Sequence, residues 1–377
     1  MGMQAISAEN LNKWVVNKKD FFIFDVRNVK DFEDWKVEGE NIQYLNIPYF
    51  ELIDGVEDVV GQLPKGKDIV VICAKEGSSV MVAEMLADKG FNVSYLSGGM
   101  KSWSEYLYPV EVYKDEEIKV LQFIRVGKGC LSYMVLSKNE ALVVDPSRFV
   151  DRYQAVAEKE NVKITHIVDS HLHADHLSGG KQLADVTGAK YYLMKSEGAA
   201  FAFEALEQHD KIEFENITLE VLAVKTPGHT PGSVSFFVNN KLLFSGDTIF
   251  VNGLGRPDLG GKAAEWAKDL YETVYSKVCQ IADDVIVLPG HYASFDEEVN
   301  AEGFIGSHLG SIRQQNEMME GKTIEEFVDH VAQSASSDTP PNFEDIVAIN
   351  RGVKEVTADE AIEIEIGPNR CAVHHTH

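Results

Sequence analysis

The chain has 377 residues, with 60 Asp and Glu against 35 Lys and Arg, for a formal charge of −25. That balance argues against a nucleic-acid partner, because binding phosphates takes an excess of cations. Hydrophobic residues make up 44% and aromatics 10%, enough for folded cores, and the length calls for two or three domains.

The first hundred residues read as a small α/β unit. Phe21–Val26 is a strand-like run, followed by a polar helical stretch near Val29–Lys36. Ile69–Cys73 is a second short strand. Gly77–Gly90 then has helical spacing, with Val80, Ala83, Met85 and Leu86 on its apolar face. Val93–Leu96 is a further strand, closed by the Gly98-Gly99 turn. Such alternation implies a mostly parallel sheet covered on both faces. Around Tyr108–Glu117 the pattern breaks at Pro109 and the charged run Lys114–Glu117, which reads as a linker.

From Ile118 the character changes. Lys119–Arg125, Leu131–Leu136 and Ala141–Val144 are closely spaced strands, as in an antiparallel sheet. Helices then alternate with strands up to Val285–Leu288, and the remainder is helical and acidic, with a low-apolar segment at Ser334–Pro341. The expected division is 1–108, a linker at 109–117, a second domain at 118–320 and its C-terminal helical extension at 321–377. No apolar run approaches the roughly 20 residues that span a bilayer, and Met1–Gln4 shows no secretion signal. No membrane partner is expected. Cys73, Cys130, Cys279 and Cys371 are far apart, so free thiols in a reducing cytoplasm are expected. Cys130 and Cys279 read as packed small hydrophobes, and Cys371 as a candidate carrier thiol.

Cys73 ends a strand and is followed by the loop Ala74-Lys75-Glu76-Gly77-Ser78-Ser79 and then a helix. Loop N–H groups and a helix N-terminus make a concave anion site that would stabilise a persulfide on sulfur. Taken alone, a cysteine at a strand end is more often a core residue. Its surroundings point elsewhere: Phe24-Asp25-Val26-Arg27, then Asp31-Phe32, Leu45–Pro48, the Cys73 loop, and Leu96–Trp103. As a set, over about residues 4–108, they resemble the rhodanese family. The resemblance implies a sulfurtransferase with sulfane sulfur on Cys73, and Asp25 and Arg27 as a structural pair. Glu76 stands where the family usually has glycine and Ser78 where it often has arginine. Persulfide exchange is therefore expected more than thiosulfate turnover. A phosphatase-like reading is weaker, because those loops are usually one residue longer.

The run Ser170-His171-Leu172-His173-Ala174-Asp175-His176 follows the strand Ile164–Val168 and aims three imidazoles and a carboxylate at one point. Three clusters complete it, each at a strand end or in a tight loop: Pro227-Gly228-His229-Thr230-Pro231-Gly232-Ser233, then Gly246-Asp247-Thr248, then Pro289-Gly290-His291. In this order they resemble the metallo-β-lactamase superfamily, over roughly Ile118–Asn316. The resemblance implies an αββα sandwich, so the fold class is α/β, with a parallel-sheet domain followed by the sandwich. It also implies seven ligands: His171, His173, Asp175, His176, His229, Asp247 and His291.

The segment Gly255-Arg256-Pro257-Asp258-Leu259 is similar to the persulfide dioxygenase branch. That likeness implies one Fe(II) per chain on His171, His229 and Asp247, leaving positions open for O2 and a persulfide sulfur. His173, Asp175, His176 and His291 would then stand outside the metal or hold a second ion. Arg256 and Tyr292 are candidate substrate contacts. The expected function is oxidation of a small-molecule thiol persulfide by O2 to sulfite and free thiol, coupled to sulfane-sulfur transfer through Cys73 by persulfide or thiosulfate exchange; a homo-oligomer is left open. The alternatives are a dinuclear-metal thioester hydrolase of glyoxalase II type and a sulfur carrier or interaction protein without turnover; the alternative to iron is one or two zinc ions.

Overall fold

The computed structural model describes residues 3–222, 232–255, 263–334 and 342–367. They form two compact units. The first runs to Tyr108 and includes Arg125–Lys128, and the second holds Pro109–Ile124 and Gly129–Glu365.

The first unit is a five-stranded parallel sheet of β1 (Gln4–Ile6), β2 (Phe21–Asp25), β3 (Ile42–Asn46), β4 (Ile69–Ile72) and β5 (Val93–Leu96), in the order β1-β5-β4-β2-β3. Its helices are α1 (Ala8–Val16), α2 (Val29–Asp34), α3 (Ser78–Asp88) and α4 (Gly99–Glu105). Every residue of β2 and β4 is buried, which is why both read as unbroken apolar runs. Their side chains alternate between two cores. Phe22, Phe24, Ile69 and Val71 pack with Val82, Ala83 and Leu86 of α3. Phe21, Ile23, Val70 and Ile72 pack with Leu11 and Trp103 on the other face. Each such side chain contributes about 1.5–3 kcal/mol of burial. The apolar face of α3 differs from the one expected. Ser79, Val82, Ala83 and Leu86 point inward, while Val80 and Met85 are only half-buried. The physical reason is Ser79, whose hydroxyl is drawn inward to Cys73.

In the second unit β6 (Leu107–Lys114), β7 (Lys119–Arg125), β8 (Cys130–Ser137), β9 (Glu140–Val144), β10 (Lys163–Val168), β11 (Lys190–Leu193) and β12 (Glu204–Ala205) form one seven-stranded sheet. A six-stranded sheet is built from β13 (Lys211–Phe214), β14 (Ile217–Leu222), β15 (Ser235–Val238), β16 (Leu242–Gly246), β19 (Ile286–Pro289) and β20 (Ser307–His308). A small pair, β17 (Ile249–Phe250) and β18 (Gly253–Leu254), lies outside it. The stretch read as a linker carries most of β6. Pro109 is accommodated there because β6 is the edge strand, where a missing N–H costs no ladder bond.

The helices are α5 (Val150–Glu160), α6 (Gly180–Thr187), α7 (Ala263–Glu272), α8 (Phe295–Glu298), α9 (Leu309–Gln315), α10 (Ile324–Ser334), α11 (Phe343–Asn350) and α12 (Ala358–Glu365). Leu270 of α7, Leu309 and Ile312 of α9 and Phe327 of α10 cover Leu243 and Val287 on one sheet. On the other, Tyr153 of α5 packs on Phe123, ring centroids 4.8 Å apart. Between the sheets Tyr133 meets Phe244 edge-on at 5.0 Å and donates to the carbonyl of Pro289 at 2.5 Å. This is the α/β sandwich expected. Most of Ser334–Pro341 lies outside the described residues. No helix among the described residues is long and apolar enough to cross a membrane.

Candidate metal centre and sulfur-carrier loop

Strand direction explains how distant residues meet. β9 and β10 are parallel neighbours, as are β16 and β19, so the loops after each pair emerge side by side. The loop after β10 carries His171, His173, Asp175 and His176, and all four are buried. Asp247 follows β16 and His291 follows β19, both buried. His171 Nε2 lies 3.7 Å from Asp247 Oδ2, and His291 Nδ1 lies 2.6 Å from Asp247 Oδ1. Gly290 permits this approach, since a Cβ there would sit 2.7 Å from Asp247 Oδ1.

His171 is aimed from behind. Ser170 donates to Asp145 Oδ2 at 2.8 Å, and its Oγ lies 2.9 Å from His171 Nδ1. A hydroxyl already donating to a carboxylate accepts from the ring, which leaves the His171 Nε2 lone pair toward Asp247. Asp145 directly follows β9 and was not singled out from the sequence, although its position after Val143-Val144 is the signal used for Asp247. His173 lies 3.6 Å from Asp145 and 3.9 Å from Asp169, and neither of its buried ring nitrogens has a hydrogen-bond partner among the described residues. Burial and the neighbouring Asp145 charge push Asp169 up, whereas Asp145, despite burial, is held down by His173.

Asp175, His176 and His291 gather on the other side, and Cys130 joins them. Cys130 Sγ lies 3.5 Å from Asp175 Oδ2 and 3.6 Å from His176 Nδ1. The expectation that Cys130 is a packed hydrophobe is therefore corrected: it is buried, but among polar groups. Its approach depends on an antiparallel bridge to His291, which has no local sequence signal. Burial alone would depress His176, but Cys130 and Asp175 raise it to about 10. His291 is also raised, with Asp247 and Asp175 outweighing burial. Burial would raise Cys130, and His176 instead brings it down to about 7.

Helices α11 and α12 secure the loop that carries His171–His176. Asn350, at the end of α11, donates to the carbonyls of His173 and His176 at 2.8 Å each and accepts from Ser178 N–H at 3.0 Å. Glu365 of α12 accepts from Leu177 N–H at 3.0 Å and pairs with Arg148. Nothing near Asn350 in sequence marks it out. Asn350→Leu should weaken metal binding by about 10- to 100-fold, as losing an orienting partner does. Competition against a chelator checks this.

Tyr292 is buried with its ring 6.0 Å from Phe295. His229, Arg256 and Cys371 lie outside the described residues. Cys279 is exposed, which corrects its assignment to a core; its place on the helical turn Val278–Gln280 leaves the thiol at the surface.

In the first unit, Cys73 is buried just after β4. Its sulfur accepts from Glu76 N–H at 3.2 Å and lies 3.1 Å from Ser79 Oγ. Ala74, Lys75, Glu76 and Gly77 are exposed, and Ser78 starts α3. Gly99 closes the loop from below: its φ is +59°, and a Cβ there would lie 2.4 Å from the Cys73 carbonyl oxygen. Glu76 has φ 91°, in the region that favours glycine, and its carboxylate accepts from Gly98 N–H at 2.5 Å and Ser97 Oγ at 3.2 Å. The acidic side chain is thus tied to the turn after β5. Glu76→Gly should leave the loop path intact and remove a negative charge from the mouth of the site. The expected gain in thiosulfate turnover is about fivefold, measured as kcat/KM. Asp25 and Arg27 form a buried pair at 2.7 Å.

Comparison with known proteins places both units. Residues 7–106 match the rhodanese-like domain and residues 125–294 the metallo-beta-lactamase superfamily. The chain is 32% identical over 155 residues to "Persulfide dioxygenase ETHE1, mitochondrial" of Bos taurus, a match covering 40% of this chain and 59% of that protein. It therefore spans under two thirds of that relative's length. The crystal structure of a metallo-beta-lactamase from Staphylococcus aureus subsp. aureus COL is 30% identical, with a TM-score of 0.57, over 64% of this chain and 74% of that one. The crystal structure of ETHE1 from Myxococcus xanthus shares the fold at a TM-score of 0.52 and 24% identity, over 66% of this chain and all of that one. The chain belongs to the metallo-beta-lactamase superfamily, with a rhodanese-like domain preceding that fold.

Proposed function

We propose that this protein oxidises a low-molecular-weight thiol persulfide with O2, and that Cys73 carries sulfane sulfur to or from that reaction. The overall change balances as RSSH + O2 + H2O giving RSH and H2SO3, with the terminal sulfur oxidised and O2 reduced. The observation that carries the reading is the buried His171–Asp247 pair, 3.7 Å apart, in a chain 32% identical to a persulfide dioxygenase. Two imidazoles and a carboxylate suit Fe(II), and His171 and Asp247 are close enough to share one ion; His229 is the third ligand by its motif. Bound there, Fe(II) would supply open positions for O2 and sulfur and the redox chemistry that zinc lacks.

The chain's own residues contribute orientation and exclusion of water. Ser170 and Asp145 fix the His171 ring, and Asn350 holds the backbone of the loop that bears it. Asp145, Ser170 and His171 are buried, which keeps bulk water from the reacting sulfur. In the first unit, Ser79 and the Glu76 N–H stabilise negative charge on Cys73 sulfur during persulfide exchange. Sulfane sulfur passed from Cys73 to sulfite would give thiosulfate.

The convergence of Asp175, His176 and His291 supports a second reading, a dinuclear thioester hydrolase. Metal analysis separates the two: one iron with O2 uptake on persulfide favours the first, two zinc ions with thioester hydrolysis the second. Cys73→Ser should abolish sulfane-sulfur transfer and shift products from thiosulfate toward sulfite, read by product chromatography. If neither product nor O2 uptake changes, the first unit is a binding module uncoupled from the oxidation.

A further inference from the structure

Large apolar side chains at a protein surface are ordinary when they are scattered. In the first unit they are gathered. Val29, Phe50, Ile53 and Met81 are all exposed, Phe50 at 63% and Ile53 at 62%. Each stands in a segment that follows β2, β3 or β4, and those strands are parallel neighbours. The four therefore share the sheet edge from which the Cys73 loop emerges. Hydrogen bonds hold the segments together there. Tyr49 N–H donates to the Val26 carbonyl at 2.9 Å, and the Tyr49 hydroxyl donates to Met81 Sδ at 3.3 Å. Leu52 and Val82, next in sequence to Ile53 and Met81, are buried in one core with Cys73.

The same segments carry charge mainly of one sign. Residues 28–36, 48–64 and 74–84 hold nine acidic residues and three lysines. Between Pro48 and Pro64 every charged residue is acidic, and Glu51, Asp54, Glu57 and Asp58 are all exposed. Glu57 pairs with Lys89 at 2.5 Å, so the other three set the local charge. An apolar centre with an acidic rim fits a partner with an apolar centre and a basic rim. A second copy is disfavoured, since each chain carries a charge of −25, and anionic lipid is disfavoured by the same repulsion. Cys73 itself is only 3% exposed and lies below the exposed loop residues Ala74–Gly77. A slender, extended segment can reach its sulfur where a folded surface cannot.

We infer that this face docks a basic protein that presents a cysteine persulfide on an extended segment. The inference deepens the proposed sulfur-carrier role of Cys73 and rests on it. In the transfer, the Cys73 thiolate attacks the outer sulfur of the donor persulfide. The donor S–S bond breaks, a new S–S bond forms on Cys73, and the donor leaves as a thiolate. The persulfide proton stays on the transferred sulfur, so no oxidant or reductant is needed.

The test uses the full-length chain and short peptides with one cysteine persulfide between leucines, flanked by lysines or by glutamates. Glutathione persulfide is the small donor, and loading of Cys73 is followed by mass spectrometry. The lysine peptide should load Cys73 at least about tenfold faster than either other donor at low salt, and most of that advantage should vanish at about 1 M salt. Phe50→Ser combined with Ile53→Ser should cut the preference at least about fivefold, as loss of an apolar anchor does. Glu51→Lys combined with Asp54→Lys should shift it toward the glutamate peptide. Val186→Ser, at an exposed apolar position of the second unit, should leave it unchanged. Equal rates for all donors, or a preference that survives both double variants, overturns the inference. So does a dimer, or binding to phosphatidylglycerol vesicles, that Phe50→Ser abolishes in sedimentation, because the occupant is then a second copy or a membrane. Binding of the thiol form of the lysine peptide to Cys73→Ser, read by fluorescence anisotropy, stands apart from transfer. If Phe50→Ser weakens that binding while no donor loads Cys73, the carrier role fails and the docking surface stands.

Discussion

Asp247→Asn is expected to strip iron from the protein and lower O2 uptake with a thiol persulfide by more than about 100-fold, since even an outer partner costs about 10- to 100-fold. The amide keeps the carboxylate's shape and can still accept from His291 through Oδ1. What it loses is the charge and the oxygen that faces His171 at 3.7 Å. Metal-free stability should fall as well, because buried His291, whose Nδ1 faces Asp247 Oδ1 at 2.6 Å and whose protonation Asp247 favours, loses its charged partner. The metal-free variant should therefore melt below the metal-free parent. Iron analysis, O2 electrode traces and a thermal melt check the three parts separately. Retained iron would show that Asp247 is not a ligand.

Arg27→Met carries the largest expected loss of stability. Arg27 and Asp25 are 5% and 1% exposed. The guanidinium contacts both Asp25 oxygens and donates to the carbonyls of Asp31 and Trp35. Removing it strands a buried carboxylate, at a cost of about 3–5 kcal/mol. An apolar pair in the same volume removes the uncompensated charge, so Asp25→Leu combined with Arg27→Met should recover most of the loss. Three of the four tryptophans, Trp14, Trp35 and Trp103, lie in the first unit, so tryptophan fluorescence during denaturant unfolding of the full chain reports mainly on it. Equal losses in the single and double variants would refute the charge argument.

The candidate ligands readable from sequence are those that a strand end aims. His171, Asp247 and His291 each follow an apolar run directly, and parallel neighbours bring such ends together whatever lies between them. The apolar runs Phe21–Asp25 and Ile69–Ile72 were legible because both faces of a central parallel strand are buried. Cys130 was not, because its approach to His176 depends on a single bridge between β8 and the loop after β19. Asn350 was hidden because its three bonds go to backbone, which leaves no pattern in side-chain types. Residues 109–117 misled because edge position, which makes Pro109 harmless, is set by tertiary pairing. The Cys73 loop was legible as a whole, yet the path of Glu76 depends on the turn at Gly98 that receives it.

The most direct test of the account is O2 consumption by the iron-loaded full-length chain, given a panel of thiol persulfides with metal content and sulfite measured together. One iron per chain at this site and one O2 consumed per sulfite formed are expected, with both lost in His171→Ala. Two zinc ions per active chain, hydrolysis of thioesters and no O2 uptake on any persulfide would contradict it.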